Sequence, residues 1–249
     1  MIKGWILALS LLIGSAMVGA AEPDVHRPVQ LVSEEWRDYT NRDGTGLGWD
    51  VLRKVFEPAG YTVITRAEPY SRSVGLVQRG EADAWVGSYQ DEKNSLYPHW
   101  NYDTDHIYTL GLKGMPAPTV QTVGQYHLAW VRSYEYQRYL PNIQHYEEVQ
   151  RRNGILSMLD HKRADYYIDA LTEIQTILEQ ADDPSKYRVS HLTELPLYIG
   201  FSDTLRGQHL RDVFDQRMER LVETGELKPI FQRWEQPYPF EETPVSRKR

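Results

Sequence analysis

The chain has no cysteine among its 249 residues. That excludes a disulfide framework and thiolate-held metal or redox chemistry, and it removes the cysteine to which a lipoprotein leader attaches lipid. The fold must therefore stand on its apolar core alone, and a chain of this length can bury one as one or two domains. After the first twenty residues there is no apolar run long enough to cross a bilayer. Basic runs are missing too, apart from Arg247, Lys248 and Arg249 at the end. With a formal charge of −7, or −8 without Lys3, binding to a phosphate backbone is not expected. No HExxH, GxSxG, P-loop or GxGxxG is present. His99, His106, His127, His145, His161, His191 and His209 show no metal-ligand spacing. No cofactor, metal or catalytic residue is expected from these absences.

What is present begins with a leader. Lys3 is the only charge before Glu22, residues 5–18 are apolar, and Gly19, Ala20 and Ala21 are small. This describes a secretory signal peptide over residues 1–21, cut after Ala20 or Ala21, and predicts a periplasmic chain. Aromatic residues are abundant, with 7 Trp and 17 Tyr. Such amphipathic rings suit a surface that grips ligands or a tyrosine-rich core.

From residue 29 the pattern alternates between strand and helix. Strands are predicted at 29–33, 61–65, 82–86, 107–112, 127–131, 166–168 and 197–201. Helical spacing runs through 47–56, 70–78, 155–159, 171–178 and a long segment from about 205 to Gly225, with a last turn or two to Trp234. Strand–helix–strand repetition implies parallel strands with helices on their faces, an α/β class. An internal echo reinforces this. VQRGEADAWVGSY at 77–89 and MLDHKRADYYIDA at 158–170 both run helix end, Ala-Asp, apolar strand, placing Asp83 with Asp165 and Gly87 with Asp169. Two similar α/β units thus flank the break at Pro116 and Pro118.

In open parallel sheets, ligands bind beyond the carboxyl ends of the strands. That rule singles out 34–39, 87–89, 132–134 and Asp169. Asp169, at the end of an apolar strand, needs a partner for its charge: a ligand ammonium, or the first turn of the following helix as a cap. Arg72, at a helix start, and Lys93 are candidates to hold an anion, arginine through two parallel hydrogen bonds. Trp36, Tyr39, Tyr70, Tyr89 and Trp130 are candidate cleft walls.

Four stretches resemble the bacterial family 3 extracellular solute-binding proteins, whose best-known members bind polar amino acids for ABC importers. EEWRDYTNRDGTGLGWDVLRKVFEPAGY resembles the family's opening strand, ligand loop and helix. PYSRSVGLVQRGEADAWVGSY and ILSMLDHKRADYYIDA resemble its paired helix–strand units. LYIGFSDTLRGQHLRDVFDQRMERLVETGELKPIFQRW resembles its closing segment. The resemblance covers about residues 28–235. It implies a two-lobed, type II periplasmic-binding-protein-like fold with a two-crossing hinge. Residues 23–110 plus 198–240 would form lobe one, 111–197 lobe two, and 241–249 a loose tail.

By the same resemblance, Asp169 matches the acidic position that receives a ligand ammonium, and Gly87, Ser88 and Tyr89 match the loop that binds its carboxylate. The family's carboxylate-gripping arginine should fall near Lys93, where no arginine stands, so Arg72 is the candidate substitute. Arg132 follows the first strand of lobe two and completes the ligand set. The expected function is capture of a small polar molecule, amino-acid-like or a small carboxylate, by a monomer serving an inner-membrane ABC permease or a membrane sensor. The alternative is an enzyme on the same fold, cyclohexadienyl dehydratase-like, for which the sequence names no general acid.

Overall fold

The structure is a computed structural model that describes residues 27–90 and 93–240. The expected leader, most of its junction and the expected tail from 241 lie outside the described residues. The elements run β1 (Val29–Ser33), α1 (Leu47–Phe56), β2 (Val63–Ala67), α2 (Tyr70–Gln78), β3 (Ala84–Ser88), β4 (Ser95–Leu96) and β5 (Asp103–Leu112). They continue with β6 (Leu128–Val131), β7 (Tyr146–Val149), α3 (Ile155–Asp160), β8 (Tyr166–Ala170), α4 (Leu171–Leu178), β9 (Tyr187–Ser202), α5 (Leu205–Thr224) and α6 (Lys228–Arg233).

The strands follow the order β2-β1-β3-β9-β5-β8-β6-β7, with β4 added against β9. Each end of this path is built alike. β1 lies parallel between β2 and β3, and β6 lies parallel between β7 and β8. Each trio is closed by an antiparallel strand from the central pair: β9 beside β3, and β5 beside β8. β5 and β9 pair with each other along the whole of β5. They are the two crossings that join the halves of a two-lobed α/β molecule.

Helical faces account for the cores. Leu47, Val51, Leu52, Val55 and Phe56 of α1 and Leu210, Phe214, Met218 and Leu221 of α5 pack on one face of the first trio. Val74, Leu76 and Val77 of α2 pack on the other, against Val32 and Trp85. In the second trio Ile155 and Leu159 of α3 and Ile174 and Ile177 of α4 cover one face, and Trp130, Tyr136 and Ile168 fill the other. Each closing strand carries a glycine where a ring crosses it. A Cβ on Gly200 would lie 2.2 Å from the Trp85 ring, and one on Gly111 would lie 2.5 Å from the Tyr166 ring. Neither position has room for a side chain.

The predicted helices appear where spacing placed them. The strand regions differ more. β2 and β3 each lie two residues later than predicted, at Val63–Ala67 and Ala84–Ser88, and the short β4 has no apolar run to announce it. β5 begins at Asp103 rather than 107, and β9 begins at Tyr187 rather than 197. β7, sequence YEEV, is a strand that no apolar pattern announces. β7 is an edge strand paired only with β6, and it stays largely exposed. The early part of β9 is half-exposed and contains Pro196, so both lack the buried alternation that marks a strand.

Candidate functional site

The carboxyl ends of β1, β3, β6 and β8 face one another across the gap between the lobes. From lobe one come Glu34, Glu35 and Trp36 after β1, Tyr70 at the start of α2, and Gly87 and Tyr89 at the end of β3. From the other side come Asp105 on β5, Tyr134 after β6, Arg152 before α3, and Asp169 on β8. The loop after β1 is pinned locally. The Thr40 hydroxyl donates to the Glu34 carbonyl at 2.6 Å, and the Tyr39 and Thr40 amides donate to the Trp36 carbonyl. This folds Trp36 against Tyr39, ring centroids 4.7 Å apart. Gly87 sits at φ 90°, a conformation L side chains rarely adopt, which keeps the backbone bare beside Trp36.

The chemical centre is Asp169, 1% exposed. Its carboxylate accepts from Arg152 Nε at 2.8 Å, from the backbone N–H of Ala170 at 2.9 Å, and from the Tyr167 hydroxyl. The helix-cap alternative is not what forms, since α4 has Ala170 at its N-cap and no side chain bonds its first turn. Arg152 reaches further. Nη1 donates to Glu34 at 3.2 Å, Nη2 donates to the Tyr134 hydroxyl at 2.8 Å, and Nε lies 3.2 Å from Glu173. The Tyr134 hydroxyl donates to the other oxygen of Glu34 at 3.0 Å. One guanidinium therefore ties Asp169 and Glu173 of lobe two to Glu34 of lobe one. Burial works against its charge, but Asp169, Tyr134 and Tyr167 together outweigh that and raise its pKa, so the cation persists.

Two carboxyls around this clasp are pushed up to about 7. Asp105 is raised by burial and by Asp169, against the opposing hydrogen bond that Tyr89 donates at 2.7 Å. Glu173 is raised by burial and by Asp169 and Glu34, against the opposing charge of Arg152. Burial, with Glu34 in the case of Tyr134 and Asp105 in the case of Tyr89, also holds both phenols well above their usual value.

The gap at this centre has a volume of about 30 Å³, room for a single water molecule. A second cavity of about 330 Å³ adjoins it, sharing Trp36 and Asp105. That volume falls in the range of small-molecule sites. Its walls are the residue 36–39 loop, the β5 stretch at 103–106 with Tyr108, the start of α4, and residues 235–237.

Of the residues expected from the sequence, the structure gathers Trp36, Tyr70, Gly87, Tyr89 and Asp169 at the centre and puts Tyr39 on the second cavity. The other five stand apart. Arg72 is exposed and pairs with Glu68 at 3.2 Å, one helical turn back. Lys93 is exposed, and its carbonyl accepts from Gln78 and from the Ser95 hydroxyl. Ser88 is buried and shares a hydrogen bond with the Tyr97 hydroxyl, turned away by the pleat from Gly87. Arg132 is exposed beyond β6. Trp130 is core, stacked on Tyr146. Sequence reasoning missed Arg152 and Asp105, whereas Glu34 and Tyr134 lie in the strand-end segments 34–39 and 132–134 that it singled out. Arg152 follows a second arginine in a polar run, and nothing in that run marks which one turns inward.

No protein-family model and no curated protein sequence matches the chain. Solved structures do. A histidine kinase sensor domain with similarity to periplasmic binding proteins matches at TM-score 0.67 and 17% identity, over 85% of this chain and 97% of that one. An ABC uptake transporter substrate-binding protein from Streptococcus pneumoniae with bound histidine matches at 0.62 and 15%, over 83% and 92%. An ancestral amino-acid-binding protein, a precursor of cyclohexadienyl dehydratase, matches at 0.61 and 12%, over 83% and 95%. Together with the paired trios and their two crossing strands, these likenesses show that the chain has the two-lobed, type II fold of the family 3 solute-binding proteins.

Proposed function

We propose that this chain is an exported solute-binding protein whose interlobe cleft captures a small, amine-bearing molecule. Lobe one comprises the first trio with α1, α2, α5 and α6, lobe two comprises the second trio with α3 and α4, and they close about β5 and β9. The observation that carries this reading is the charge at the gap. Glu34, Asp105 and Asp169 line it with Arg152 among the rings of Trp36, Tyr70, Tyr89 and Tyr134, while Glu35, also on the lining, is paired with Arg42 at 2.9 Å. A site with surplus carboxylate and aromatic faces favours a cation. Arg72, Lys93 and Arg132, the groups expected to hold a ligand's anionic end, line neither cavity. A free small carboxylate is therefore the less favoured ligand, and an ammonium or guanidinium is the favoured one. The centre as it stands holds about one water, so entry requires the lobes to part, and closure then strengthens each polar contact.

A thermal-shift screen tests this, because a ligand that binds only the folded chain raises its melting temperature. Amino acids, diamines and guanidino compounds at millimolar concentration are expected to raise it, and dicarboxylates without an amine are not. A panel in which only carboxylates shift the transition sinks the cationic reading. No shift with any class sinks solute capture.

A second reading, an enzyme on this fold, draws on Asp105. A buried carboxyl with a pKa of about 7 lines the gap, and a general acid needs that poise. Ultraviolet detection of phenylpyruvate from prephenate separates the two. Delivery to an ABC permease and signalling through a membrane receptor both fit a closing cleft. Among the described residues no helix is long and apolar enough to cross a membrane.

A further inference from the structure

Three side chains outside the clasp meet on the strand pair that joins the lobes. His106 lies on β5, and His191 and Glu194 lie on β9. In a regular strand, residues 191 and 194 are an odd number apart and project to opposite faces. Here the register runs His106↔Glu194, Ile107↔Thr193 and then Tyr108↔His191, so Leu192 is an extra residue on β9. This bulge turns His191 to the face of Tyr108, which is also the face of His106, two residues earlier. The strand irregularity is thus what assembles the trio.

The three side chains bring their ligand atoms within reach of one ion. His106 Nδ1 lies 3.3 Å from Glu194 Oε1, and His191 Nε2 lies 4.0 Å from the same oxygen. One ligand atom from each residue falls within 4.8 Å of the others. Ligands on a tetrahedral zinc ion stand roughly 3.3 Å apart, so a small rotamer adjustment closes the set. The ring of Tyr108 lies edge-on to His191, centroids 5.1 Å apart, and steadies it. The backbone beneath is the β5–β9 pair, which holds the two ligand-bearing strands in a fixed register. All three side chains are partly open to solvent, which gives an ion a path in.

We propose that His106, His191 and Glu194 bind a divalent transition metal, Zn²⁺ above all, with the fourth position open. Two imidazoles and one carboxylate suit zinc, copper or nickel, and do not suit magnesium or calcium, which take all-oxygen sets. His106 also lines the 330 Å³ cavity, so the ion stands at the edge of that cavity and clips β5 to β9 where the lobes join. This site is independent of the clasp at Asp169 and of the solute reading.

The test is calorimetric titration of the untagged, full, EDTA-stripped chain with Zn²⁺ at pH 7.5. Replacement by Co²⁺ reads the coordination through its visible absorption. One Zn²⁺ per chain is expected, with no heat from Mg²⁺. His106→Ala and His191→Ala should each weaken Zn²⁺ at least about tenfold, the double variant should abolish the site and its Co²⁺ spectrum, and Glu194→Gln should weaken it less. If an alanine variant loses its circular dichroism, His106→Gln and His191→Gln replace it. Absence of saturable Zn²⁺ binding overturns the proposal, and so does unchanged affinity in the folded double variant.

Discussion

Asp83 and Asp165 stand just ahead of β3 and β8, each after an alanine in the two echoing segments. The Asp83 carboxylate accepts the backbone N–H of Gln30 on β1 at 2.9 Å, and its own N–H donates to the Gln30 carbonyl at 3.0 Å. Asp165 does the same to His127, just ahead of β6, at 2.9 and 2.7 Å. Each aspartate staples the start of its strand to the neighbouring parallel strand. Four residues on, at the far end of each strand, the lobes part company. Lobe one offers the bare backbone of Gly87, and lobe two offers the buried carboxylate of Asp169. Similar scaffolding thus delivers different chemistry to the two sides of one gap. The difference shows where this fold holds its shape and where it is free to vary: amino ends of strands are structural, and carboxyl ends carry the site.

The largest expected effect tests the Asp169 side. Arg152→Ala leaves a carboxylate that is 1% exposed without its cation, and should cost about 3–5 kcal/mol in denaturant unfolding. An effect under ~1 kcal/mol would mean that Asp169 is held by Tyr167 and the Ala170 amide alone.

Next comes pH. Asp105 titrates near 7 in the folded chain against 3.8 as its ordinary value. Between those values the folded state keeps a proton that the unfolded state has lost, so stability falls as pH rises from about 4 to about 7 and then levels. Asp105→Asn should flatten much of that slope in melting curves, and Glu173, raised for like reasons, should leave a remainder. A slope unaltered in the variant places the proton elsewhere.

The two staples give a finer contrast. Asp83 also receives Arg206 through two bonds, at 2.8 and 3.3 Å. Asp83→Ala therefore also removes this ion pair, leaving Arg206 on the Arg27 and Pro28 carbonyls, and should cost about 2–3 kcal/mol, against about 1–2 kcal/mol for Asp165→Ala. Equal costs would show that Arg206 contributes nothing beyond the shared staple. The smallest effect is at Gly87. Gly87→Ala meets no atom closer than 3.8 Å, so only the positive φ penalises it, by about 1 kcal/mol. A larger loss would mean that the β3 end shifts and takes Trp36 with it.

Periodicity located every helix, because α1, α2, α4 and α5 each bury one apolar stripe, and it located the strands buried on both faces, such as β1, β3 and β6. It did not show β7 or the first half of β9, whose residues are half-exposed and paired by backbone alone. The site was legible where topology decides it. Trp36, Gly87, Tyr89 and Asp169 follow from counting strand ends, and Tyr70 from its aromatic ring at a helix start. It was not legible where charge decides it. Arg72, Lys93 and Arg132 were chosen by sign and proximity in sequence, and each is turned outward, while Arg152 reaches the centre from a turn that bears no mark of it.

What the sequence determined by itself was the class and the repeat: an α/β chain of two like units, with an aspartate just ahead of each matching strand. These are set by short-range spacing, which a linear pattern carries. Only the tertiary structure decided which charges meet. Arg152 finds Glu34 across 118 positions, and His106 finds Glu194 across a bulged pair of strands. Such pairings depend on strand order, lobe closure and a single extra residue at Leu192. Those are settled by packing across the whole chain, and no local window of sequence contains them.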